Sequence, residues 1–124
     1  MLVSSASLRY LRWLPATVWA LAIFGFSAIP GSAIPSAVSV FSPIAHFTEY
    51  AVLASLLVFG AGHRRLTVSL ALLVLLACSV YGASDEFHQS FVPGRTPDPV
   101  DWATDTAGAG LAIGAVLAVR RRRV

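Results

Sequence analysis

The sequence predicts an all-α integral membrane protein, a bundle of four transmembrane helices with its N- and C-termini in the cytoplasm. Three observations lead to this fold class. The chain of 124 residues is 56% hydrophobic and only 12% charged, and its mean hydropathy of +0.74 is too high for an ordinary soluble domain. Its apolar residues are gathered into four long runs, and its arginines and acids fall on opposite sides of those runs. We therefore expect a single transmembrane domain over residues 1–124.

Each apolar run is long enough to cross a hydrocarbon core of about 30 Å, which takes roughly 20 helical residues. The first helix tolerates Pro15 because this residue lies in its first turn. The third continues past the acids, since the first strong helix breaker is the Pro-Gly pair at 93–94. The fourth begins with Asp98 as N-cap and Pro99 in the first turn. The predicted helices cover about 11–29, 44–62, 66–90 and 99–119.

The arginines predict the orientation. All nine basic residues are arginines, and an inside N-terminus places eight of them in the cytoplasm, as the positive-inside rule requires. All six acids then lie outside or in the outer half of the membrane. The sequence pI of about 9.8 thus reflects topology, and nucleic acid is not an expected partner. The eight cytoplasmic arginines are Arg9, Arg12, Arg64, Arg65, Arg120, Arg121, Arg122 and Arg123.

The N-terminal segment has a second interpretation. Arg9, Arg12, the first apolar run and the small residues at 31–33 loosely resemble a signal peptide with a cleavage site. That run is long for the apolar part of a signal peptide, and Pro30 and Pro35 crowd the site. Cleavage would leave three spans and an outer N-terminus. We therefore expect the first helix to be retained.

A polar cluster stands between the third and fourth apolar runs, at residues 84–105. Ionisable groups at membrane depth are costly, and where they occur they usually line a site or a pathway. In the second helix, His46 and Glu49 share one face with Tyr50 and Leu53. The outer ends of helices 2, 3 and 4 are thus predicted to form one polar pocket. Its candidate ligand-binding residues are His46, Glu49, Tyr50, Asp85, Glu86, His88, Gln89, Arg95, Asp101 and Asp105.

Two side chains in this cluster stand apart from the others, Glu86 by its direction and Arg95 by its charge. On the third helix Tyr81, Asp85 and His88 share a face, whereas Glu86 points about a quarter turn away. Arg95 is the sole outer cation, and its planar guanidinium suits a carboxylate or a phosphate equally. It can therefore form a structural clamp with Asp85 or Glu86, or bind a phosphate of the substrate.

The chemistry of the cluster stays open as well. His46, His88 and the carboxylates are suitable zinc or manganese ligands, but no His-Glu-x-x-His spacing is present, so metal and cofactor remain unknown. Ser84 and Ser90 lack the glycines of a nucleophile elbow. Acid–base chemistry by Glu86 and His88 is the candidate catalytic function, and whether the protein is an enzyme is uncertain.

Small residues inside the third and fourth helices are expected to serve packing. Cys78 is the single cysteine, so an internal disulfide is excluded, and a buried thiol is expected. Gly110 and Gly114 have the small-xxx-small spacing that lets helices approach closely, within or between chains.

At these residues the sequence resembles the VanZ-like family of small bacterial membrane proteins. The strongest block of that family reads approximately Asp-Glu-x-His-Gln-x-Phe-x-Pro-x-Arg, and its helix 2 signature His-x-x-x-Tyr is similar to His46 and Tyr50 here. The end of helix 1 at 26–31 is also similar. The sequence departs from the family at two places. Asp105 stands where the family has asparagine, and residues 42–43 are Ser-Pro where an Asp-Lys often precedes the helix 2 histidine. The matching residues of the block are Asp85, Glu86, His88, Gln89, Phe91, Pro93, Arg95 and Asp101, with Gly108 where the family glycine is expected.

The resemblance implies a multi-pass protein of the bacterial cytoplasmic membrane, linked to low-level resistance to teicoplanin-type glycopeptides. The leading hypothesis is that the outer pocket binds a cell-envelope or lipid-linked ligand, such as lipid-linked peptidoglycan precursor, and affects glycopeptide susceptibility. Two alternatives are an intramembrane enzyme acting on a lipid head group or cell-wall precursor, and a structural membrane partner protein. The lipid bilayer is the expected surrounding, and a homo-oligomer stays open because four spans lack an obvious transport pathway.

Overall fold

The computed structural model describes residues 5–39, 42–62 and 66–122, and over these ranges it is helical with no strand. Three of the arginines assigned to the cytoplasm, Arg64, Arg65 and Arg123, lie outside the described residues. A short 3-10 turn at Gly31–Ala33 lies between the second and third α-helices. In chain order the α-helices are α1 (Ser5–Leu11), α2 (Leu14–Ser27), α3 (Ser36–Ser39), α4 (Ser42–Ala61), α5 (Val68–Gln89) and α6 (Pro99–Arg121).

The three long helices correspond to three of the predicted spans. Helices α4, α5 and α6 have 20, 22 and 23 residues and are long and apolar enough to cross a membrane. The first turns of α5 and α6 are capped by side chains. The Oγ1 of Thr67 accepts the Leu70 N–H at 3.2 Å before α5, and the Oδ1 of Asp98 accepts the Val100 N–H at 2.8 Å before α6. The predicted N-cap Asp98 is therefore confirmed.

The first predicted span differs from the structure. Helix α2 has only 14 residues, fewer than the roughly 20 needed to cross a hydrocarbon core. Pro15 has no N–H to donate to the carbonyl of Leu11, and its ring would clash with that carbonyl. The helix is consequently interrupted at residues 12–13, which separate α1 from α2. The predicted count of four spans is therefore not confirmed by the described residues.

Helix α4 packs closely against α6, and Gly108 is the point of closest approach. A Cβ atom at Gly108 would overlap the backbone carbonyl of Phe47, so only glycine fits there. Gly110 and Gly114, which the sequence singles out, do not form this contact: a Cβ at Gly110 would lie 3.9 Å from Leu75, and one at Gly114 would meet nothing within 4 Å. Within the chain the close approach of α6 to α4 therefore occurs at Gly108, and packing between chains at Gly110 and Gly114 stays a prediction.

Helix α2 packs against α4 and α5 through two hydrogen bonds to backbone carbonyls. The indole N–H of Trp19 donates to the carbonyl of Glu49 at 2.9 Å, and the Tyr81 hydroxyl donates to the carbonyl of Ala20 at 2.6 Å. The core between the four longest helices is apolar and includes the predicted buried thiol. Its buried residues are Ile23, Tyr50, Leu53, Ala54, Val58, Leu66, Ala71, Val74, Cys78, Ala109 and Ile113.

The outer surface of the long helices is also apolar. On α5, Leu72, Leu73, Leu76 and Val80 are each about 60% exposed. Large apolar side chains facing outward on a helix this long fit a lipid environment and would be a liability in water. Polar side chains gather instead where the C-terminal ends of α2 and α5 meet the N-terminal ends of α4 and α6. We call this region the polar end.

Candidate functional site

His46 lies at the centre of the polar end and connects α4 to α6. It is 7% exposed, and its Nδ1 lies 2.9 Å from the Oδ1 of the fully buried Asp105. Its Nε2 lies 3.7 Å from the Oδ2 of Asp101, one helical turn earlier on α6. An ionised Asp105 accepts a hydrogen bond from Nδ1, and this contact turns Nε2 toward Asp101. Asp101 and Asp105, which were predicted to share one face of the helix, thus both contact the imidazole of His46.

Glu86 joins α5 to the start of α6. Its Oε2 accepts the backbone N–H of Asp98 at 2.8 Å, and the side chain is 8% exposed. One carboxylate oxygen of Glu86 also falls within 4.8 Å of ligand atoms of both His46 and Asp101. The residue that the sequence places off the shared face of the third helix therefore points toward the centre of the site.

Several buried oxygens at the polar end lack a hydrogen-bond partner among the described residues. Asp85 accepts from the Gln89 amide at 3.2 Å through Oδ2, which leaves its Oδ1 without a donor. Buried polar atoms are satisfied in the great majority of folded proteins, so a group of unsatisfied ones marks a place for a ligand, an ion or ordered water. These oxygens are Tyr50 Oη, Asp85 Oδ1, Glu86 Oε1 and Asp105 Oδ2.

A cavity of about 490 Å³ opens beside this cluster. One part of its wall is apolar and is formed mainly by the end of α2 and the segment that follows it, with Ile23, Phe26, Ile29, Ile34 and Val38. The other part is polar and contains six of the ten residues predicted to bind a ligand. These six are His46, Glu49, Asp85, Gln89, Arg95 and Asp101.

In the part of the chain that the structure describes, Arg95 lines this cavity and does not form an ion pair with Asp85 or Glu86, the structural clamp that was one of the two roles considered for it. Among the described residues, the ion pairs join His46 to Asp101 and Asp105, and Arg95 has none with Asp85 or Glu86. It lies close enough to Glu49, on the wall of the same cavity, to interact with it electrostatically. The guanidinium therefore has hydrogen-bond donors to offer a ligand.

His88 faces away from this cluster. Its Nδ1 lies 3.3 Å from the Ser27 hydroxyl, and its ring stacks on Phe24 with centroids 4.2 Å apart. Both partners belong to α2, whereas Glu86 contacts the start of α6. Residues two apart on a helix point about 200° apart, so Glu86 and His88 do not share a site. The histidine near Glu86 is His46, and the structure does not bring the candidate catalytic pair together.

The sequence missed the segment that closes the cavity on one side. Gly31 donates its N–H to the carbonyl of Pro93 at 3.0 Å, and Gly94 in the same turn has a φ of +72°, which favours glycine. Ser27, buried at 3% exposure, lines the same cavity. For Ser27 and Gly31 the signal in the sequence was the resemblance at 26–31, whereas Pro93 and Gly94 were expected to end the third helix.

A family model described as VanZ/LLP1 matches residues 4–120. The chain belongs to the VanZ/LLP1 family. This match confirms the resemblance seen in the sequence and includes the whole polar end, α4, α5 and all of α6 except Arg121. A search of curated proteins and a search of solved structures each found no match to the chain. Membership in the VanZ/LLP1 family and three helices of spanning length together indicate a membrane protein.

Proposed function

We propose that this VanZ/LLP1 protein binds a lipid-linked ligand of the cell envelope in the cavity at its polar end, and thereby affects susceptibility to teicoplanin-type glycopeptides. The protein would lie in the bacterial cytoplasmic membrane, with the polar end outside. The glycopeptide part of the proposal rests on the family alone. The ligand class rests on the cavity, which is the observation that carries the proposal.

The cavity combines the two surfaces that a lipid-linked ligand needs. Its volume of about 490 Å³ falls in the range of roughly 300–1,000 Å³ typical of small-molecule sites. Phe26 and Ile29, on its apolar side, are more than a third exposed and border the outer surface of the bundle. Gln89 and Arg95, on its polar side, offer hydrogen-bond donors suited to phosphate and sugar oxygens. A lipid-linked ligand whose lipid tail enters between the lipid-facing helices would place its head group against these donors.

The first experiment measures thermal stability of the purified full chain in detergent with lipid-linked peptidoglycan precursor. Precursor at 100 times its Kd adds about 2.7 kcal/mol to the stability of a protein that binds it, so Tm should rise by several degrees. Arg95→Gln should remain folded, because Arg95 forms no ion pair with Asp85 or Glu86, and should lose most of the rise. Arg121→Gln, an exposed arginine at the opposite end of α6, is the matched control and should keep it.

Three results separate the hypotheses. An equal rise in Tm for the parent and Arg95→Gln would refute binding in this cavity. A rise in neither would refute the precursor as ligand. Conversion of the precursor in the same samples, followed by mass spectrometry, would favour the enzyme alternative.

The topology is a further part of the proposal, with α2 as the fourth crossing and both termini in the cytoplasm. In a Cys78→Ala background, we expect a membrane-impermeant maleimide to label Ser32→Cys and Thr96→Cys in intact cells. Tyr10→Cys and Arg122→Cys should react only after permeabilisation. All four positions are exposed, so access depends on the membrane side alone. If Tyr10→Cys and Ser32→Cys react alike, α2 does not cross the membrane.

A further inference from the structure

Three helices each contribute one side chain to a compact set of metal-ligand atoms. His46 comes from α4, Glu86 from α5 and Asp101 from α6, and one nitrogen or oxygen from each lies within 4.8 Å of the others. Zinc binds such atoms at about 2.0–2.2 Å, so small side-chain movements would bring all three to one ion. Two of the three residues are buried and the third is half-buried.

The orientation of His46 matches that of a metal-binding histidine. Its Nδ1 is engaged by Asp105 at 2.9 Å, so Nε2, which is directed toward Asp101, is the nitrogen that a metal ion would take in place of a proton. Metal-ligating histidines almost always donate their other ring N–H to a carboxylate, a backbone carbonyl or water, and this partner fixes the ring. Asp105 is fully buried and contacts the imidazole on the side away from Asp101, so it serves as that partner.

Glu86 supplies the second observation that points to a ligand. Its side chain is 8% exposed and its Oε1 is buried without a hydrogen-bond partner among the described residues. Leaving a buried acceptor unsatisfied costs about 1–3 kcal/mol, and more when the group is charged. A cation held between Glu86, His46 and Asp101 would satisfy this oxygen.

The balance of charge also favours a cation. Asp101 and Asp105 interact electrostatically with both Glu86 and His46, so three carboxylates surround one imidazole. Glu49 adds a fourth acid that acts on His46. Several carboxylates in a poorly hydrated site repel each other, and a bound divalent ion offsets that repulsion.

We propose that His46, Glu86 and Asp101 bind a divalent metal ion of the zinc or manganese class at the wall of the cavity. One imidazole nitrogen with two carboxylate oxygens is a donor set that suits these ions. Three protein ligands leave at least one coordination position free. His46 and Asp101 both line the cavity, so that position faces the space where a ligand would bind. The metal site itself does not depend on which ligand occupies the cavity.

The test uses the tag-free full chain in detergent, stripped with a chelator and then incubated with zinc or manganese. After desalting, elemental analysis of the parent should give one equivalent of metal per chain. Cobalt in place of zinc should produce the visible absorption of a protein-bound ion. Asp101→Asn and Glu86→Gln should each weaken metal binding at least about 10-fold. Replacing a residue that only hydrogen-bonds to a metal ligand already costs about 10-fold in affinity, and a direct ligand should cost no less. His88→Gln is the matched control and should bind like the parent, because the His88 ring contacts Ser27 and Phe24 of α2 and faces away from the three proposed ligands.

Asp101→Asn is the decisive variant because Asp101 is half-buried and its carboxylate, among the described residues, pairs with His46 Nε2 at 3.7 Å, so the fold should survive its replacement. Circular dichroism and size exclusion verify that survival. Parent protein that binds neither ion would overturn the proposal, and so would equal weakening by His88→Gln and Asp101→Asn. Arg95→Gln should retain the metal while losing the response to precursor, so failure of one proposal is distinguishable from failure of the other.

Discussion

Replacing Asp105 with leucine should lower the free energy of unfolding by about 3 kcal/mol, the lower end of what breaking one partner of a buried pair costs. Leucine branches at the same carbon as aspartate, but it is bulkier and offers no acceptor to Nδ1 of His46. The imidazole would then be buried, at 7% exposure, with its N–H unsatisfied and its nearest carboxylate gone. The measurement is reversible unfolding in mixed micelles, followed by circular dichroism, in the presence of chelator so that metal does not contribute.

Two companion variants identify the hydrogen bond as the cause. Asp105→Asn keeps an oxygen that accepts from Nδ1, so it should cost much less than leucine. The double variant His46→Leu with Asp105→Leu removes both polar partners, and its cost should fall below the sum of the two single costs by about 1.5 kcal/mol or more. Additive costs, or equal costs for asparagine and leucine, would show that the contact contributes no specific stability.

Gly108→Ala should lower the free energy of unfolding by about 1–3 kcal/mol, the usual cost of forcing an extra methyl group into a packed interior. The new Cβ would overlap the carbonyl of Phe47, and a backbone atom cannot rotate away as a side chain can. Helices α4 and α6 would have to separate at the level of His46 and Asp105. The same unfolding titration measures this cost.

Gly114→Ala is the matched control for Gly108→Ala, because it makes the same change on the same helix with nothing within 4 Å of the added atom. Alanine is the better helix former by about 0.5–1 kcal/mol, so this variant should be neutral or slightly stabilised. If both substitutions have the same effect, the close contact at Phe47 does not limit packing.

The local pattern of the sequence was sufficient to locate the long helices. The segments predicted at 44–62, 66–90 and 99–119 correspond to α4, α5 and α6 within about two residues at each end. The length of an apolar run and a capping residue such as Asp98 are local properties of the sequence, so they were sufficient to predict where these helices begin and end. The first helix was predicted too long because it was placed at 11–29, whereas α2 begins at Leu14, with Pro15 in its first turn as expected, and ends at Ser27.

Faces were predicted less well than helices. His46 and Tyr50 on α4 are buried on one side as expected, since the i, i+4 spacing determines a shared face. On α5, however, the buried residues at the polar end include Asp85, Glu86 and Gln89, and His88 turns toward α2. Helical spacing shows which residues lie together on a helix, but it does not show which neighbouring helix they contact.

The sequence by itself determined the helical class, the positions of three spanning helices, the gathering of polar groups at one end, and the resemblance to the family that the comparison confirms. Only the tertiary structure decided that His46 contacts Asp101 and Asp105 and that His88 does not join them. The physical reason is that apolar length and charge distribution act along one chain segment. Contacts between helices depend instead on how closely the backbones approach, and here that distance depends on Gly108 against Phe47.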